Sequence, residues 1–229
     1  MAIAVTNILN DAKNVNYSYN AASNLDVGMV FFGRTHNYAG STAAPKINGV
    51  DMTLLQSVDM SYDYFFYYAV ITSAGSYTLT DGNSYAKQIF HVSEVNTINN
   101  SWSVQSKTLA VSGSGSGIMI DSVWSQGSST DGYFTTQPAG YTEVADDRSI
   151  GSGADWGMGI EYSYKLAETG NSLVITSTAT EHGHIAFELS GGGSSGPAGA
   201  KKVSGVASAS IKKISGLAIA SIKKISGVG

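Results

Sequence analysis

Along residues 25–190, apolar side chains recur at every second position in short runs, and turn residues separate the runs. In Ile160-Glu161-Tyr162-Ser163-Tyr164-Lys165 one face reads Ile/Tyr/Tyr and the other Glu/Ser/Lys. A period of two marks a strand with one buried face. Runs rich in Val, Ile, Thr, Tyr and Phe, residues that suit a pleated surface, predict strands over 27–32, 46–50, 52–56, 64–71, 76–80 and 88–95. Further strands are predicted over 107–111, 117–124, 157–165, 172–177 and 184–189. Asn48-Gly49, Asp81-Gly82 and Asp131-Gly132 predict tight turns, because glycine takes positive φ at little steric cost. Tyr64-Phe65-Phe66-Tyr67-Tyr68 is aromatic on both faces of its strand and is expected to be buried or interfacial. Helical patterning is confined to a turn or so near Ser23–Leu25 or Lys165–Glu168. About eleven such strands predict an all-β fold of two packed antiparallel sheets, a jelly-roll-like β-sandwich whose strand order stays open.

Charge divides the chain. All 17 acids lie between Asp11 and Glu188, alongside seven bases, whereas residues 189–229 hold six lysines and no acid. Residues 191–200, Gly-Gly-Gly-Ser-Ser-Gly-Pro-Ala-Gly-Ala, separate the two parts and read as a linker. The expected organisation is an acidic head over 1–190, the linker over 191–200 and a basic tail over 201–229. An acidic head disfavours nucleic acid as a partner. No apolar run approaches the ~18 residues of a membrane-spanning helix. With no cysteine there is no disulfide framework, thiolate metal site or cysteine nucleophile. Met1 leads into AIAVTNILND, with neither a basic n-region nor a long apolar h-region, so no secretory leader is expected.

The tail repeats every eleven residues. The first copy runs from Lys201-Lys202 to Ile211, the second from Lys212-Lys213 to Ile222, and a partial third opens with Lys223-Lys224-Ile225. Internal repetition marks stacked supersecondary units. Eleven residues also fit three helical turns, but Ser-Gly and β-branched residues in every copy favour short strands ended by Ser-Gly turns. Such strands cannot bury their apolar residues alone. Lys201, Lys202, Ile211, Lys212, Lys213, Ile214, Leu217, Ile222, Lys223, Lys224 and Ile225 are therefore the candidate assembly residues.

The head resembles a family of small β-sandwich domains of phage tail and virion proteins. The resemblance is carried by Asn48-Gly49-Val50-Asp51-Met52-Thr53, the aromatic run 64–68, Gly75-Ser76-Tyr77-Thr78 and Gln137-Pro138-Ala139-Gly140-Tyr141-Thr142. The tail is similar to short Ile-Lys-Lys-Ile-Ser-Gly-Val repeats attached to such domains. These resemblances imply a virion component, with jelly-roll or concanavalin-like architecture and a repeat that mediates attachment or oligomerisation. They carry no catalytic residues onto this chain.

Reactive chemistry is sparse. His182 and His184, at i and i+2 on one strand, face the same way but lack an evident third metal ligand, so no metal and no cofactor are expected. Asp146, Asp147 and Asp155 read as solvated loop acids, since their spacing matches no calcium loop. No nucleophile elbow, phosphate loop or zinc-protease motif occurs. Trp102 and Trp156, placed in predicted loops, are the candidate glycan-stacking rings. The expected function is that of a non-enzymatic phage structural protein located in the virion, a capsid decoration or a tail or fibre component. It would partner copies of itself and other virion proteins. The alternative is a carbohydrate-binding adhesin that recognises host surface glycan, and a glycan hydrolase stands third.

Overall fold

A computed structural model describes residues 3–12, 17–36, 43–127, 136–149 and 157–191, with four two-residue strands in the tail. Met1–Gly191 form one compact unit and Gly192–Gly229 a second. Every regular element among the described residues is a strand.

The first half of the head contains β1 (Val5–Asp11), β2 (Tyr17–Leu25), β3 (Gly28–His36), β4 (Lys46–Ile47) and β5 (Val50–Asp51). It continues with β6 (Thr53–Val58), β7 (Asp63–Ile71), β8 (Gly75–Ser84) and β9 (Lys87–Ser93). The second half contains β10 (Thr97–Val104), β11 (Thr108–Val111), β12 (Ile118–Gly127), β13 (Thr142–Ser149), β14 (Gly157–Leu166), β15 (Asn171–Val174) and β16 (Glu181–Ser190). Four of these, β1, β2, β10 and β13, lie outside the predicted runs. The Ser23–Leu25 segment ends β2, and Lys165 lies in β14, so neither proposed helical turn forms. Asp81-Gly82 is no turn: it lies inside β8, where buried cations hold Asp81. Asn48-Gly49 does turn between β4 and β5, with φ of 48° and 79°. Asp131-Gly132 lies outside the described residues.

The strand order makes the head an all-β sandwich of four layers. The first half forms a main sheet, β1-β9-β3-β7-β6, and an outer sheet, β2-β8-β4-β5. The second half forms a main sheet, β10-β16-β12-β14-β13, and an outer sheet, β11-β15. Within each half the pairing is nested: β1 with β9, β2 with β8 and β3 with β7, then β10 with β16, β11 with β15 and β12 with β14. That nesting is how a jelly roll winds one long hairpin into two sheets.

The halves repeat one another in register. In β6–β7, Thr53 faces Tyr68 and Gln56 faces Phe66, with Leu55 bulged between. In β13–β14, Thr142 faces Tyr164 and Ala145 faces Tyr162, with Val144 bulged between. A bulge is a specific feature of a strand pair, and here it recurs at the equivalent place.

The two main sheets face each other across the principal core, which includes Phe31, Phe66, Phe90, Ile120, Trp124, Tyr162 and Phe187. The contacts are reciprocal. Phe66 on the first sheet meets Phe187 on the second at 5.3 Å between ring centroids, and Phe90 meets Tyr162 at 4.5 Å. Each pair joins a β7- or β14-type position to a β16- or β9-type one, as in an isologous contact between two copies of one unit. The edges reciprocate too: Asp147 of β13 accepts from the Ala12 amide beside β1 at 2.8 Å, and Gln56 of β6 donates to Ser101 of β10 at 2.9 Å. A second core, with Leu25, Val30, Phe32, Leu79 and Ile89, fills the first jelly roll, and a third, with Leu109, Val111, Met119, Leu173 and Ala186, fills part of the second. Alternation in the aromatic strand β7 serves two of these cores, Tyr64 and Phe66 facing the first and Phe65 and Tyr67 the second.

In the tail, β17 (Lys202–Val203) pairs with β18 (Val206–Ala207), and β19 (Lys213–Ile214) pairs with β20 (Leu217–Ala218). Each pair flanks a Ser-Gly in the sequence.

Candidate functional site

Three places gather the residues that carry chemistry: the tail hairpins and a buried polar layer in each jelly roll.

The hairpins have the same register eleven residues apart. Lys202 faces Ala207 and Val203 faces Val206, then Lys213 faces Ala218 and Ile214 faces Leu217. A two-residue loop between antiparallel strands suits Ser-Gly, because Gly supplies the backbone freedom that tight hairpin turns need. Of the candidate assembly residues, Lys202, Lys213, Ile214 and Leu217 lie in these strands. Lys201, Ile211, Lys212, Ile222, Lys223, Lys224 and Ile225 lie outside the described residues.

In the first jelly roll the polar layer is a closed charge cluster. Asp81, on the outer strand β8, takes Arg34 of β3 on one oxygen and lies 3.4 Å from Lys87 of β9 on the other. Arg34, Lys87 and Asp81 are all buried. Lys87 Nζ also donates to the Tyr17 carbonyl at 2.6 Å and to Ser84 Oγ at 2.7 Å, and it stands 3.7 Å from the Tyr17 ring centroid. Arg34 Nη2 reaches the Ala43 carbonyl at 2.6 Å. Burial pulls the Lys87 ammonium down to about 8, against the attraction of Asp81. Arg34 Nε alone is left without a partner, and the paired charges fasten one sheet to another.

The second jelly roll also buries ionisable groups, but they are less well satisfied. His184 of β16 and Asp121 of β12 meet at 2.6 Å, both fully buried. Glu161 of β14 is fully buried as well, and neither of its oxygens has a hydrogen-bond partner. Burial first, then the Asp121 carboxylate, push the Glu161 carboxyl well above the usual range, with Ser163 opposing. His182, two residues before His184, is driven down to about 4 by burial and then by Lys107 and His184. His182 and His184 do share a face, but of the two His184 alone meets an acid on the neighbouring strand, and His182 Nε2 has no hydrogen-bond partner. Among the described residues, however, no three His, Asp or Glu side chains converge to hold a metal ion. Glu181 points elsewhere, to the Ser61 amide and hydroxyl. Sequence reasoning noticed the two histidines but missed Asp121 and Glu161. The signal was there in Ile118-Met119-Ile120-Asp121 and Ile160-Glu161-Tyr162, where an acid interrupts an apolar strand.

The glycan candidates fare differently. Trp102 is not in a loop: it lies in β10, half-buried, and packs against the third core. The run Thr-Ile-Asn-Asn-Ser-Trp-Ser-Val hid that strand, since Asn and Ser are poor strand formers. Trp156 lies outside the described residues. Of the acids considered for calcium, Asp146 and Asp147 lie in β13 rather than a loop, and Asp155 is outside the described residues.

A scan of family models, a search of curated proteins and a search of solved structures each find no match to this chain.

Proposed function

We propose that the chain is a non-enzymatic structural subunit of a phage particle, a capsid decoration or a tail or fibre component, whose C-terminal repeat docks on neighbouring subunits. The observation that carries this reading is the pair of tail hairpins in identical register, each with strands of two residues. Two-stranded hairpins are marginal in water, and pieces this short require an external surface to hold them. A second copy of the chain supplies that surface and opposite charge, because the head is acidic and the tail basic. The resemblance of the repeat to virion-associated repeats adds the setting. The head fits a passive role: its most catalysis-like pair, Asp121 and His184, is fully buried.

Glycan recognition, the alternative, rests on Trp102 and Trp156. Trp102 is engaged in packing against the third core, which favours the structural reading. The test is removal of residues 201–229. The truncated head is expected to fold and run as a monomer where the full chain assembles. Unchanged oligomers after truncation, read by size-exclusion chromatography with light scattering, would refute the proposal.

A further inference from the structure

The two jelly rolls share a winding but differ in how their outer sheets are held. In the first, Asp81 stands on the outer sheet and its partners Arg34 and Lys87 on the main sheet, so the layers are joined by charge. In the second, Asp121, Glu161, His182 and His184 all stand on the main sheet. The outer strands β11 and β15 bring Leu109, Val111 and Leu173 to the contact. Lys107, just before β11, donates to the Ser177 carbonyl and so ties the covering segment to itself.

Glu161 is the weak point of that arrangement. The charged groups acting on it are acidic: Asp121 from β12, and Glu143 and Asp146 from β13. Beyond Asp121 come His184 and His182 on β16, with Tyr141 acted on by both Asp121 and Glu168, and Lys107 near His182. Arg148 lies two residues beyond Asp146 along β13, opposite Gly159, and is exposed, with an interaction of its own. An ionised carboxylate here is a buried charge beside like charges; the Ser163 hydroxyl acts in its favour, but neither carboxyl oxygen has a formed hydrogen bond. Asp121, the charge that acts on it most strongly, faces Ala186 in register and follows Met119 by two residues, and both of those apolar residues pack with Leu109, Val111 and Leu173.

We propose that Glu161 is a proton-operated latch for the second jelly roll. With the carboxyl protonated, the β11–β15 layer stays sealed over the main sheet. When the proton leaves, charge repulsion with Asp121 and the demand for water open that layer, while the β2–β8 layer, pinned by Asp81, stays shut. The sign follows from linkage. A carboxyl raised on folding contributes stability that is complete below its unfolded value, about 4.3, and is lost as pH rises through its folded one.

Hydrogen exchange on the full chain, corrected for intrinsic rates, tests this between about pH 5 and about pH 9. Amides of Thr108–Val111 and Asn171–Val174 are expected to lose protection about tenfold or more, with no loss in β2 and β8, where Lys87, held down to about 8, titrates in the direction that favours the closed layer. Glu161→Gln, neutral at every pH, is expected to abolish the alkaline loss. Should that variant fail to fold, the wild-type contrast between the two outer layers still decides. Equal loss in both layers, or a Glu161→Gln profile like the wild type, overturns the latch. Restoration of alkaline protection by calcium or zinc, reversed by chelator, also overturns it, since a cation would then be the occupant.

Discussion

Gly28 and Gly117 occupy the same place in the two halves of the head. A Cβ on Gly28 would come within 2.2 Å of the Val92 carbonyl oxygen, and one on Gly117 within 2.2 Å of the Leu189 carbonyl oxygen. Gly28 is the first residue of β3 and Gly117 immediately precedes β12, the central strands of the two main sheets, and each lets its strand lie against the last strand of its half. The obstruction is backbone, which cannot rotate away as a side chain can. Gly28→Ala and Gly117→Ala are therefore each expected to cost more than about 2 kcal/mol, at the upper end of overpacking effects. Gly75→Ala, where nothing lies within 4 Å, serves as the control and is expected to change stability by less than about 0.5 kcal/mol. Denaturant melts of the three variants would check the contrast, and a mild Gly117→Ala would undo the claimed equivalence.

The charge cluster around Asp81 predicts an asymmetry between breaking it and replacing it. Asp81→Ala leaves Arg34 and Lys87 buried without a counter-charge, which costs about 3–5 kcal/mol. Replacing all three by Met and Leu removes the desolvation cost together with the attraction, and is expected to recover most of that loss. Equilibrium unfolding should rank the triple variant above the single one. The reverse ranking would mean that the cluster's net attraction outweighs the cost of burying it.

How much of this was legible in the sequence depended on the chemistry of each strand. β7, β12 and β14 were plain, because apolar residues alternate or run unbroken through them. β2 was not: Tyr17-Ser18-Tyr19-Asn20-Ala21-Ala22-Ser23-Asn24-Leu25 keeps the period of two but fills its inner face partly with Ala and Ser, too small to stand out. β13, Thr-Glu-Val-Ala-Asp-Asp-Arg-Ser, is an acid-rich edge strand whose burial is slight. Asp81-Gly82 misled because a hairpin signal depends on local backbone preference, whereas Arg34 and Lys87, distant in sequence, hold Asp81 in a strand. The internal duplication was invisible because it resides in register. Met52-Thr53 and Tyr141-Thr142 precede the equivalent bulges, yet the residues around them have diverged. The tail was the reverse case, since its repeat is almost verbatim and its hairpins follow from the Ser-Gly in each copy.

His182 supplies an acid-side counterpart to Glu161. Its ring is buried, and burial, Lys107 and His184 hold it down to about 4 from an ordinary 6.5. A histidine depressed on folding binds its proton better when unfolded. Stability is thus lost as pH falls below about 6.5, and the loss is complete once pH passes the folded value. The head is expected to lose at most about 3 kcal/mol from this group between neutral and strongly acid pH. His182→Asn should flatten that part of the profile while leaving the carboxylate-dependent remainder. A melting profile across the acid range with the same slope in both proteins would show that His182 is already solvated.

The proposed docking of the tail on a neighbouring head would draw on two sources of attraction, which salt separates. Lysine pairs attract an acidic head through a field that salt screens over about 10 Å at 0.1 M, whereas burial of Ile214 and Leu217, which face each other across β19 and β20, is insensitive to moderate salt. Sulfate strengthens such burial, because it is excluded from protein surfaces. If charge steers the encounter and apolar burial holds it, raising sodium chloride should slow assembly while leaving assembled particles intact. Sodium sulfate should then tighten them. Replacing Ile214 and Leu217 with Asn should make the particles fall apart at every salt concentration, since the lysines remain but nothing apolar anchors them. Changing the six tail lysines to Gln should slow association by about tenfold or more at low salt, with a smaller effect on dissociation. Stopped-flow light scattering reads the association rate and dilution reads the dissociation rate. Lysine variants that assemble at the wild-type rate would remove electrostatic steering from the mechanism and leave burial to account for it alone.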